Sequence, residues 1–599
     1  MNKTISSKQN MANIFRFLNS KDFRLKIFLE GIIVGLCVGV VISAFRFLLE
    51  KAERFREYSY LLAQEYGFFE IAIRFLTLAI LAIVINQIMV RAPQISGSGI
   101  VQVKGSLLGQ VKSKWLRNLV GKFVGTTLVI GAGLSVGRQG PSVQIGASIG
   151  QGVSRLLGRL RMEEKYLVTS GAAAGLAAAF NAPLAGVVFA LEELHKNFSP
   201  AVLMSAMGSS LAADYVMRQF FGSKPIMDFS GIPVLPQKYY IYLIGLGIVC
   251  GLVGVFYNKA LISSFRIFDK IRNKIPVFWK AGILFIPLFI AGVLGYLLPQ
   301  VLGGGEQLII SLSSQNYAFK ALVVFVVVKF IFTIISAGSG APGGLFLPML
   351  VIGALIGNIY GNVLGMLFDI NSELIFDFVV FAMAAVFTAA VKAPVTGSIL
   401  ITEMTGSFEH LLPVIIVSMV AYVVSDILRT RSIYENIYQI TLETASLNSH
   451  NSASLLKDNN KQADEIEQKT WEQLKQDTYN IDTAKQELTY KQIKYQEKDN
   501  IITTVRPDVN LGKNKGQKIG SKIILEEVVR LSSHIEGKRI KSIDWPEGSL
   551  LVSISRGEEE IIPRGNTRIF NGDFLYVLID QGQEREFRSF ISSLCQEND

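Results

Sequence analysis

The most restrictive feature of this chain is an internal repeat inside its apolar region. Residues 122–150 align without a gap on residues 329–357, and 12 of the 29 aligned positions are identical. Further along, residues 182–192 are similar to residues 393–403 at a slightly different offset. Two halves built on one template, with helices interrupted in corresponding places, are typical of transporter folds whose site lies between the halves.

The composition predicts that these repeats lie in a membrane. The chain has 599 residues, 50% of them hydrophobic, which is too apolar for an ordinary soluble protein of this length. Several apolar runs are shorter than the roughly 20 residues of a membrane-spanning helix, so their ends must face protein or water. The predicted membrane segments are residues 27–49, 69–90, 117–135, 142–157, 165–180, 182–196, 200–221, 239–264, 279–301, 320–337, 345–366, 374–390, 393–404 and 411–430.

The change in composition along the chain divides it into four regions. They are a basic N-terminal segment at 1–26, expected in the cytoplasm, a membrane domain at 27–442, a polar linker at 443–519, partly helical or disordered, and an α+β module at 520–599. Within the module, the pattern predicts strands at 523–531 and 549–555, a hairpin at 568–579 about Asn571-Gly572, and an amphipathic helix at 583–594. The predicted fold class is an all-α polytopic membrane protein with a small cytoplasmic α+β module.

The remaining composition argues against several other classes. The net charge of +11 is concentrated in the N-terminal segment and in short loops, so it does not indicate nucleic-acid binding. Three distant cysteines and four scattered histidines predict no disulfide framework and no metal site. The segment 338–343 fits the G-x-G-x-x-G pattern, but it lies at the end of an apolar segment without a strand before it. We therefore expect no enzyme, no metal and no cofactor.

Both copies of the repeat contain a glycine-rich turn that leads into a helix start, at 137–141 and 344–348. The first N–H groups of a helix have no internal partner and favour an anion, and glycine lets the backbone approach it closely. Two such ends meeting inside the membrane would form an anion site. The alternative is that these glycines only allow close helix packing.

Four charged side chains in the apolar region have two interpretations each. Glu192 and Glu193 end an apolar run, where they act either as a helix-end cap or solvated charge, or as a proton relay. Lys122 and Lys329 occupy aligned positions and are either buried or extended toward the membrane surface. On base rates, Tyr434 near the end of the membrane domain is a packing residue.

Taken together, the motifs of residues 25–440 resemble those of the CLC family of chloride channels and proton/chloride exchangers. These motifs are G-S-G-I (97–100), G-R-Q-G-P (137–141), N-A-P-L-A-G followed by E-E (181–193), G-G-L-F-L-P (343–348) and P-V-T-G-S-I-L-I-T-E-M-T (394–405). The resemblance implies two inverted repeats of short, broken and tilted helices. It also implies a homodimer in the lipid of the plasma membrane, with chloride as the substrate and both termini in the cytoplasm.

The resemblance also implies roles for individual residues. Chloride is expected to meet the hydroxyl groups of Ser98 and Tyr434, and a serine at the position of Ser98 goes with chloride in relatives where proline goes with nitrate. Glu193 falls on the internal proton-transfer glutamate of exchangers. The implied central anion site is formed by backbone amides around Leu345, Phe346 and Leu347, the anion-pathway loop holds Gly137, Arg138, Gly140 and Pro141, and Lys122 falls on a buried lysine near the pathway.

Two positions depart from the family pattern. Most members have a glutamate at the position of Gln139, where it forms the external gate and carries the proton in exchangers. Glutamine has nearly the same shape but does not ionise, so it resembles a permanently protonated gate. The second departure is Val101, where the family usually has proline.

The C-terminal module resembles the C-terminal half of the regulator-of-potassium-conductance (RCK-C) module, through H-I-E-G-K-R-I, I-S-R-G and F-N-G-D-F-L-Y-V-L. Such modules dimerise and bind small molecules, sometimes nucleotides.

Three functions are compatible with these features of the sequence. The first is passive, channel-like chloride transport with weak or no proton coupling, because Gln139 replaces the gating glutamate. The second is proton/chloride exchange through Glu193 and another acid. The third is a cation transport system regulated by the module. The absence of a T-V-G-Y-G-type filter from the sequence argues against it.

Overall fold

The computed structural model describes most of the chain. The predicted linker and nearly all of the predicted N-terminal segment lie outside the described residues. The described residues are 21–66, 68–109, 114–159, 161–196, 199–229, 231, 233–275, 282–315, 317–368, 370–371, 374–442, 522–529, 533–546, 548–556, 559–561, 563–580 and 584–595.

The first half of the membrane domain consists of helices of very different lengths. They are α1 (Lys21–Tyr66), α2 (Phe68–Arg91), α3 (Ile100–Leu107), α4 (Trp115–Gly131), α5 (Gln139–Leu156), α6 (Arg161–Phe180), α7 (Pro183–Phe189, continued by a π-helical turn over Ala190–His195) and α8 (Pro200–Phe221).

The second half repeats this order. It contains α9 (Tyr240–Lys274), α10 (Gly282–Leu297), α11 (Glu306–Ser314), α12 (Phe319–Gly338), α13 (Phe346–Phe368), α14 (Ile375–Val391), α15 (Pro394–Thr405), α16 (Leu411–Ile427) and a last helix α17 at 433–442. Short 3-10 turns precede α3 and α11, at Pro93–Ile95 and Pro299–Val301.

Six helical stretches of the described residues are long and apolar enough to cross a membrane: Arg24–Leu62, Phe69–Arg91, Gln237–Arg272, Phe319–Gly338, Phe346–Phe368 and Phe408–Ile427. Their exposed side chains are largely apolar, which suits contact with lipid. Shorter helices such as α5 and α14 are instead almost entirely buried in protein. This arrangement meets the requirement that broken helices at membrane depth be enclosed.

The structure corrects the predicted segments at three points. The first predicted span, 27–49, is the middle of a 46-residue helix, because the charged residues after it still continue the helix. The eight-residue α3 and the nine-residue α11 were not predicted. Both follow glycines with positive φ, Gly99 and Gly305, which made these stretches resemble loops in the sequence.

Glycines allow α5 and α6 to pack at very close range. A Cβ atom on Gly146 would overlap the carbonyl oxygen of Gly171, and a Cβ atom on Gly171 would overlap that of Gly146. The packing interpretation of the glycine-rich segments is therefore correct for the body of α5. The glycines in the turn before α5 also make close contacts, which are described below.

The module is a four-stranded sheet with one helix. Its strands are β1 (Lys522–Val528), β2 (Leu550–Arg556), β3 (Glu559–Ile561) and β4 (Asp573–Asp580), in the order β1-β4-β2-β3, and its helix is α18 (Glu584–Cys595). The predicted hairpin at 568–579 is wrong in one arm. The turn at Asn571-Gly572 is present, but β4 pairs with β2, whereas Arg568 forms only an isolated bridge with Arg539.

Candidate functional site

The two glycine-rich turns of the repeat contact each other directly. The N–H of Gly137 donates to the carbonyl oxygen of Gly344 at 2.7 Å, and the N–H of Gly344 donates to that of Gly137 at 2.7 Å. These two residues are aligned in the repeat, so the bridge has local two-fold symmetry. The structure thus brings the starts of α5 and α13 together, as the repeat predicted.

The amide groups at both helix starts face this contact region. Helix α5 begins at Gln139 and α13 begins at Phe346. A Cβ atom on Gly137 would lie 3.3 Å from the amide nitrogen of Leu347, and one on Gly344 would lie 2.9 Å from that of Gly140. The absence of a side chain at both glycines therefore leaves the first amides of each helix accessible to a small anion.

Ser98 lies in the loop that reaches this region from the start of α3. The loop packs so closely that a Cβ atom on Gly140 would overlap the carbonyl oxygen of Ser98. Gln102 holds the loop in place, because its side-chain amide donates to Ser96 O at 2.6 Å and its oxygen accepts from the Gly99 N–H at 2.9 Å. Ser98 is buried, and within the described part of the chain its Oγ has no hydrogen-bond partner.

Gln139 lies at the first position of α5 with its side chain fully buried at 1% exposure. Its Oε1 atom has no hydrogen-bond partner among the residues that the structure describes. This oxygen lies close to Gly137, where a Cβ atom would come within 2.5 Å of it. A neutral side chain therefore occupies the turn between the two helix starts, and it leaves a polar atom unpaired there.

Arg138, the residue before Gln139, forms an ion pair with Glu306 at the start of α11, with an Nη2–Oε2 distance of 3.1 Å. This pair joins the first-repeat turn to a second-repeat helix. Pro141 lies in the first turn of α5, where a missing N–H does not weaken the helix. Of the four loop residues predicted from the family motif, Gly137 and Gly140 make the close backbone contacts and Arg138 makes the ion pair.

The two aligned lysines have equivalent roles. The Nζ atom of Lys122 donates to Ile95 O at 2.8 Å and Gly97 O at 2.6 Å. That of Lys329 donates to Val301 O at 2.9 Å and Gly303 O at 2.8 Å. Both lysines are fully buried, so the interpretation as buried residues is correct and the snorkelling one is wrong. Each lysine fixes the glycine-rich loop that precedes the short helix of its own repeat.

Glu192 is a helix cap, which settles the choice left open for this residue. Its carboxylate accepts hydrogen bonds from the amides of Val395, at 3.2 Å, and Thr396, at 2.7 Å, at the start of α15. Glu403 caps α7 in the same way, through Leu184 N at 3.1 Å and Ala185 N at 2.7 Å. The two repeats therefore exchange acidic caps across the same local two-fold axis.

Glu193 is buried at 2% exposure and lies 3.4 Å from the Nζ atom of Lys104 on α3, measured to Oε1. Lys104 was missed in the sequence. The available signal was a lone lysine within the apolar run that follows G-S-G-I. The carboxylate that was matched to a proton-transfer group thus has a buried cation beside it.

Tyr434 lies on α17 and is fully buried in the largest apolar core, the same core that contains Leu345, Phe346 and Leu347. In the part of the chain with described coordinates, its hydroxyl has no hydrogen-bond partner. Its neighbourhood includes Glu193, which is near enough for the two groups to interact electrostatically. The buried polar atoms without a partner in the described residues thus include those of Ser98, Gln139 and Tyr434, and unpaired groups of this kind need an explanation.

Residues 87–426 match the family model described as voltage gated chloride channel, and this match covers more than half of the chain. The chain belongs to this family. Residues 524–592 match the TrkA-C domain model, which confirms the resemblance of the module. The two inverted repeats expected of the voltage-gated chloride channel fold are those joined by the Gly137–Gly344 bridge.

The chain matches nearly the whole length of individual relatives. The chain is 32% identical over 441 residues to the "H(+)/Cl(-) exchange transporter ClcA" of Salmonella paratyphi B, which is 72% of this chain and 91% of the relative. The structure of a slow cyanobacterial Cl⁻/H⁺ antiporter is 30% identical, with a TM-score of 0.66, over 70% of this chain and 98% of the antiporter. A CLC-type fluoride/proton antiporter is 26% identical, with a TM-score of 0.57, over 69% and 97%. The protein is accordingly a multi-pass membrane protein of chloride transport.

Proposed function

We propose that this protein carries chloride passively, with weak or no coupling to protons. The observation that carries the proposal is the side chain of Gln139, buried at the first position of α5 beside the Gly137–Gly344 bridge. An amide in this place holds no ionisable proton and no negative charge. It can neither compete with chloride as an anion nor transfer a proton at this point of the pathway.

The pair of Glu193 and Lys104 lies at the other group expected on the proton path. A carboxylate that relays protons must change between its neutral and charged forms. The burial of the Glu193 carboxyl group favours the neutral form, whereas the ammonium group of Lys104 at 3.4 Å favours the charged form. Protonating Glu193 would also leave the Lys104 cation buried and unpaired, which is unfavourable. Of the two groups on the expected proton path, Gln139 is therefore the one that cannot transfer a proton, and it carries the proposal.

The anion itself is assigned to the two unsatisfied hydroxyl groups and the helix starts. The hydroxyl groups of Ser98 and Tyr434 are donors without partners in the described structure, so a bound chloride would satisfy both. The amides of Leu345, Phe346 and Leu347 supply further donors at the start of α13. We expect Ser98→Pro to lower the chloride preference relative to nitrate, measured as the ratio of the two fluxes.

The test is a simultaneous measurement of chloride and proton flux on purified protein in liposomes. With a chloride gradient and valinomycin to carry the compensating potassium, we expect chloride efflux without proton movement against the proton gradient. Empty liposomes and a matched leak measurement are the controls. Uphill proton movement at a fixed ratio to chloride would overturn the proposal.

Proton/chloride exchange is the second candidate. It is favoured by the relatives, whose names describe H⁺/Cl⁻ exchange and antiport. It is also favoured by the retention of a buried Glu193. In this case another acid must act in place of the missing gate. Loss of proton flux with retained chloride flux in Glu193→Ala would support exchange.

We further propose that the protein forms a homodimer through the face that contains the exchanged caps. Leu184 on α7, Leu211 on α8, Val395 on α15 and Leu412 on α16 are exposed apolar side chains of that region, each above 40% exposure. A second copy of the chain would cover them. Cross-linking or subunit counting by photobleaching in liposomes tests this, and a single bleaching step per particle would contradict it.

A further inference from the structure

The strand β4 of the module is buried on both of its faces. Leu575, Val577 and Ile579 lie in the core of the module, together with Phe587 and other residues of α18. The alternate residues point to the opposite face of the sheet. Phe574 on that second face is nevertheless only 4% exposed, and it does not belong to the module's core. Something outside the module therefore covers this face of β4.

The membrane domain of the same chain covers it. The ring of Phe574 lies against Gly109, two residues after the end of α3, so closely that a Cβ atom on Gly109 would overlap three ring carbons. The ammonium group of Lys165, in the first turns of α6, lies 4.2 Å from the centre of the same ring. Burial of an aromatic ring and a cation over its face both stabilise such a contact.

Gly109 also has the backbone conformation that favours glycine, with φ of +73°. The two features together restrict this position. A side chain here would be strained in its backbone and would displace Phe574 as well. The contact with Phe574 therefore requires glycine at position 109.

The contact lies at one end of a short rigid element whose other end holds Ser98. Helix α3 has eight residues, about 12 Å in length at the standard rise. Its N-terminal residues carry the Ser98 loop through the two hydrogen bonds of Gln102, and Lys104 in its middle pairs with Glu193. The helix thus connects Gly109 to the loop that we assign to chloride.

We propose that the outer face of β4, centred on Phe574, docks on Gly109 and Lys165 and thereby sets the position of the Ser98 loop. The effect on transport rests on the proposed function, since it assumes that Ser98 meets chloride. The docking itself does not. Release of the module loosens the end of α3, so the chloride site loses part of its preorganisation and binds chloride more weakly.

The chain offers a matched control for the key variant. Gly158 also has a positive φ, +61°, but a Cβ atom there would meet nothing within 4 Å. Gly109→Ala and Gly158→Ala thus introduce similar backbone strain, and only the first disrupts the contact with the Phe574 ring. Phe574→Ala breaks the same contact from the other side, and Lys165→Gln removes the cation from the ring.

Two measurements on the full-length protein test the docking and its effect separately. By hydrogen–deuterium exchange, Gly109→Ala should raise the exchange of the β4 amides, and Gly158→Ala should not. By chloride flux against chloride concentration, Gly109→Ala and Phe574→Ala should each raise the half-saturating chloride concentration, by about threefold or more. The double variant Gly109→Ala/Phe574→Ala should raise the half-saturating chloride concentration no further than Phe574→Ala alone, because the two changes break one contact.

Each outcome has a definite meaning. Unchanged exchange of β4 in Gly109→Ala, or an equal change in Gly158→Ala, overturns the docking. Changed exchange with an unchanged half-saturating chloride concentration keeps the docking and overturns its effect on Ser98. If the unaltered protein carries no chloride, the proposed function fails, and the exchange experiment still decides the docking.

Discussion

The two repeats share a scaffold but differ in the residues that face the site. In both, a buried lysine holds the loop before the short helix, and a glutamate caps a helix of the other repeat. By contrast, Gln139 aligns with Phe346, and Ser98 occupies the place that Gly304 has in the second repeat. The duplicated residues thus maintain the backbone, and the residues that break the symmetry supply the chemistry.

The largest expected effect comes from the symmetric lysines. Lys122→Met and Lys329→Met each leave two buried carbonyl groups without a donor, which should lower stability by about 3 kcal/mol or more. Thermal unfolding in detergent, followed by the loss of monodisperse protein, measures this. Because the two sites are equivalent, we expect similar losses.

The lysine pair would also reveal a special role of Lys122 in the anion pathway. If Lys122 acts on chloride directly, Lys122→Arg should change chloride flux, whereas Lys329→Arg should not. Equal effects of the two arginine variants would assign both lysines to the scaffold alone.

A smaller effect is expected from the asymmetric pair of Glu193 and Lys104, which has no counterpart in the second repeat, where Met404 aligns with Glu193. Glu193→Gln leaves a buried ammonium group unpaired and should lower stability by about 2 kcal/mol. The double variant Glu193→Gln/Lys104→Met removes both charges and should recover part of this loss. Chloride flux should stay within about twofold, well under the tenfold that 1.4 kcal/mol produces. A collapse of chloride flux in the double variant would contradict the structural role of the pair.

Introducing an acid at the asymmetric gate should make transport depend on pH. The unaltered protein should show flat chloride flux, because Gln139 does not ionise. In Gln139→Glu, the carboxylate forms as the external pH rises and competes with chloride, so flux should fall by about tenfold, equivalent to roughly 1.4 kcal/mol. Flux should recover as the pH falls again. Gln139→Met is the neutral control, and a pH dependence in that variant would show that another group is responsible.

The fold could be predicted from the sequence wherever a pattern was long or duplicated. The repeat predicted that the two glycine-rich turns meet, and the long apolar runs marked most helices within a few residues. Helices α3 and α11 were missed because they have eight and nine residues and follow glycines with positive φ. The first arm of the predicted hairpin failed because pairing between strands is decided by the whole sheet and not by one turn.

The loops that form the site could be predicted from the sequence, but the ion pairs between its side chains could not. The family resemblance implied that Gly137, Gln139 and Ser98 belong to one anion pathway, and the structure shows the Ser98 loop and the turn at 137–140 in close contact. Lys104 had a local signal as a lone lysine in an apolar run, but the partners in the ion pairs of Arg138 with Glu306 and Glu193 with Lys104 had none. Each joins residues far apart in the chain, and a periodic pattern carries no information about such partners.

The smallest expected effect tests how far the symmetry extends. Glu192→Gln and Glu403→Gln should each weaken one exchanged cap by about 1 kcal/mol, since an amide accepts from helix amides less strongly than a carboxylate. The two caps differ in one respect. The hydroxyl of Thr396 donates to Glu192 at 2.7 Å, whereas the aligned residue Ala185 has no hydroxyl. Glu192→Gln should therefore lower the stability in thermal unfolding more than Glu403→Gln does, by the contribution of about one hydrogen bond. Thr396→Ala should make the two caps equal, and a difference that persists in that background would mean that the repeats are unequal in their backbone as well.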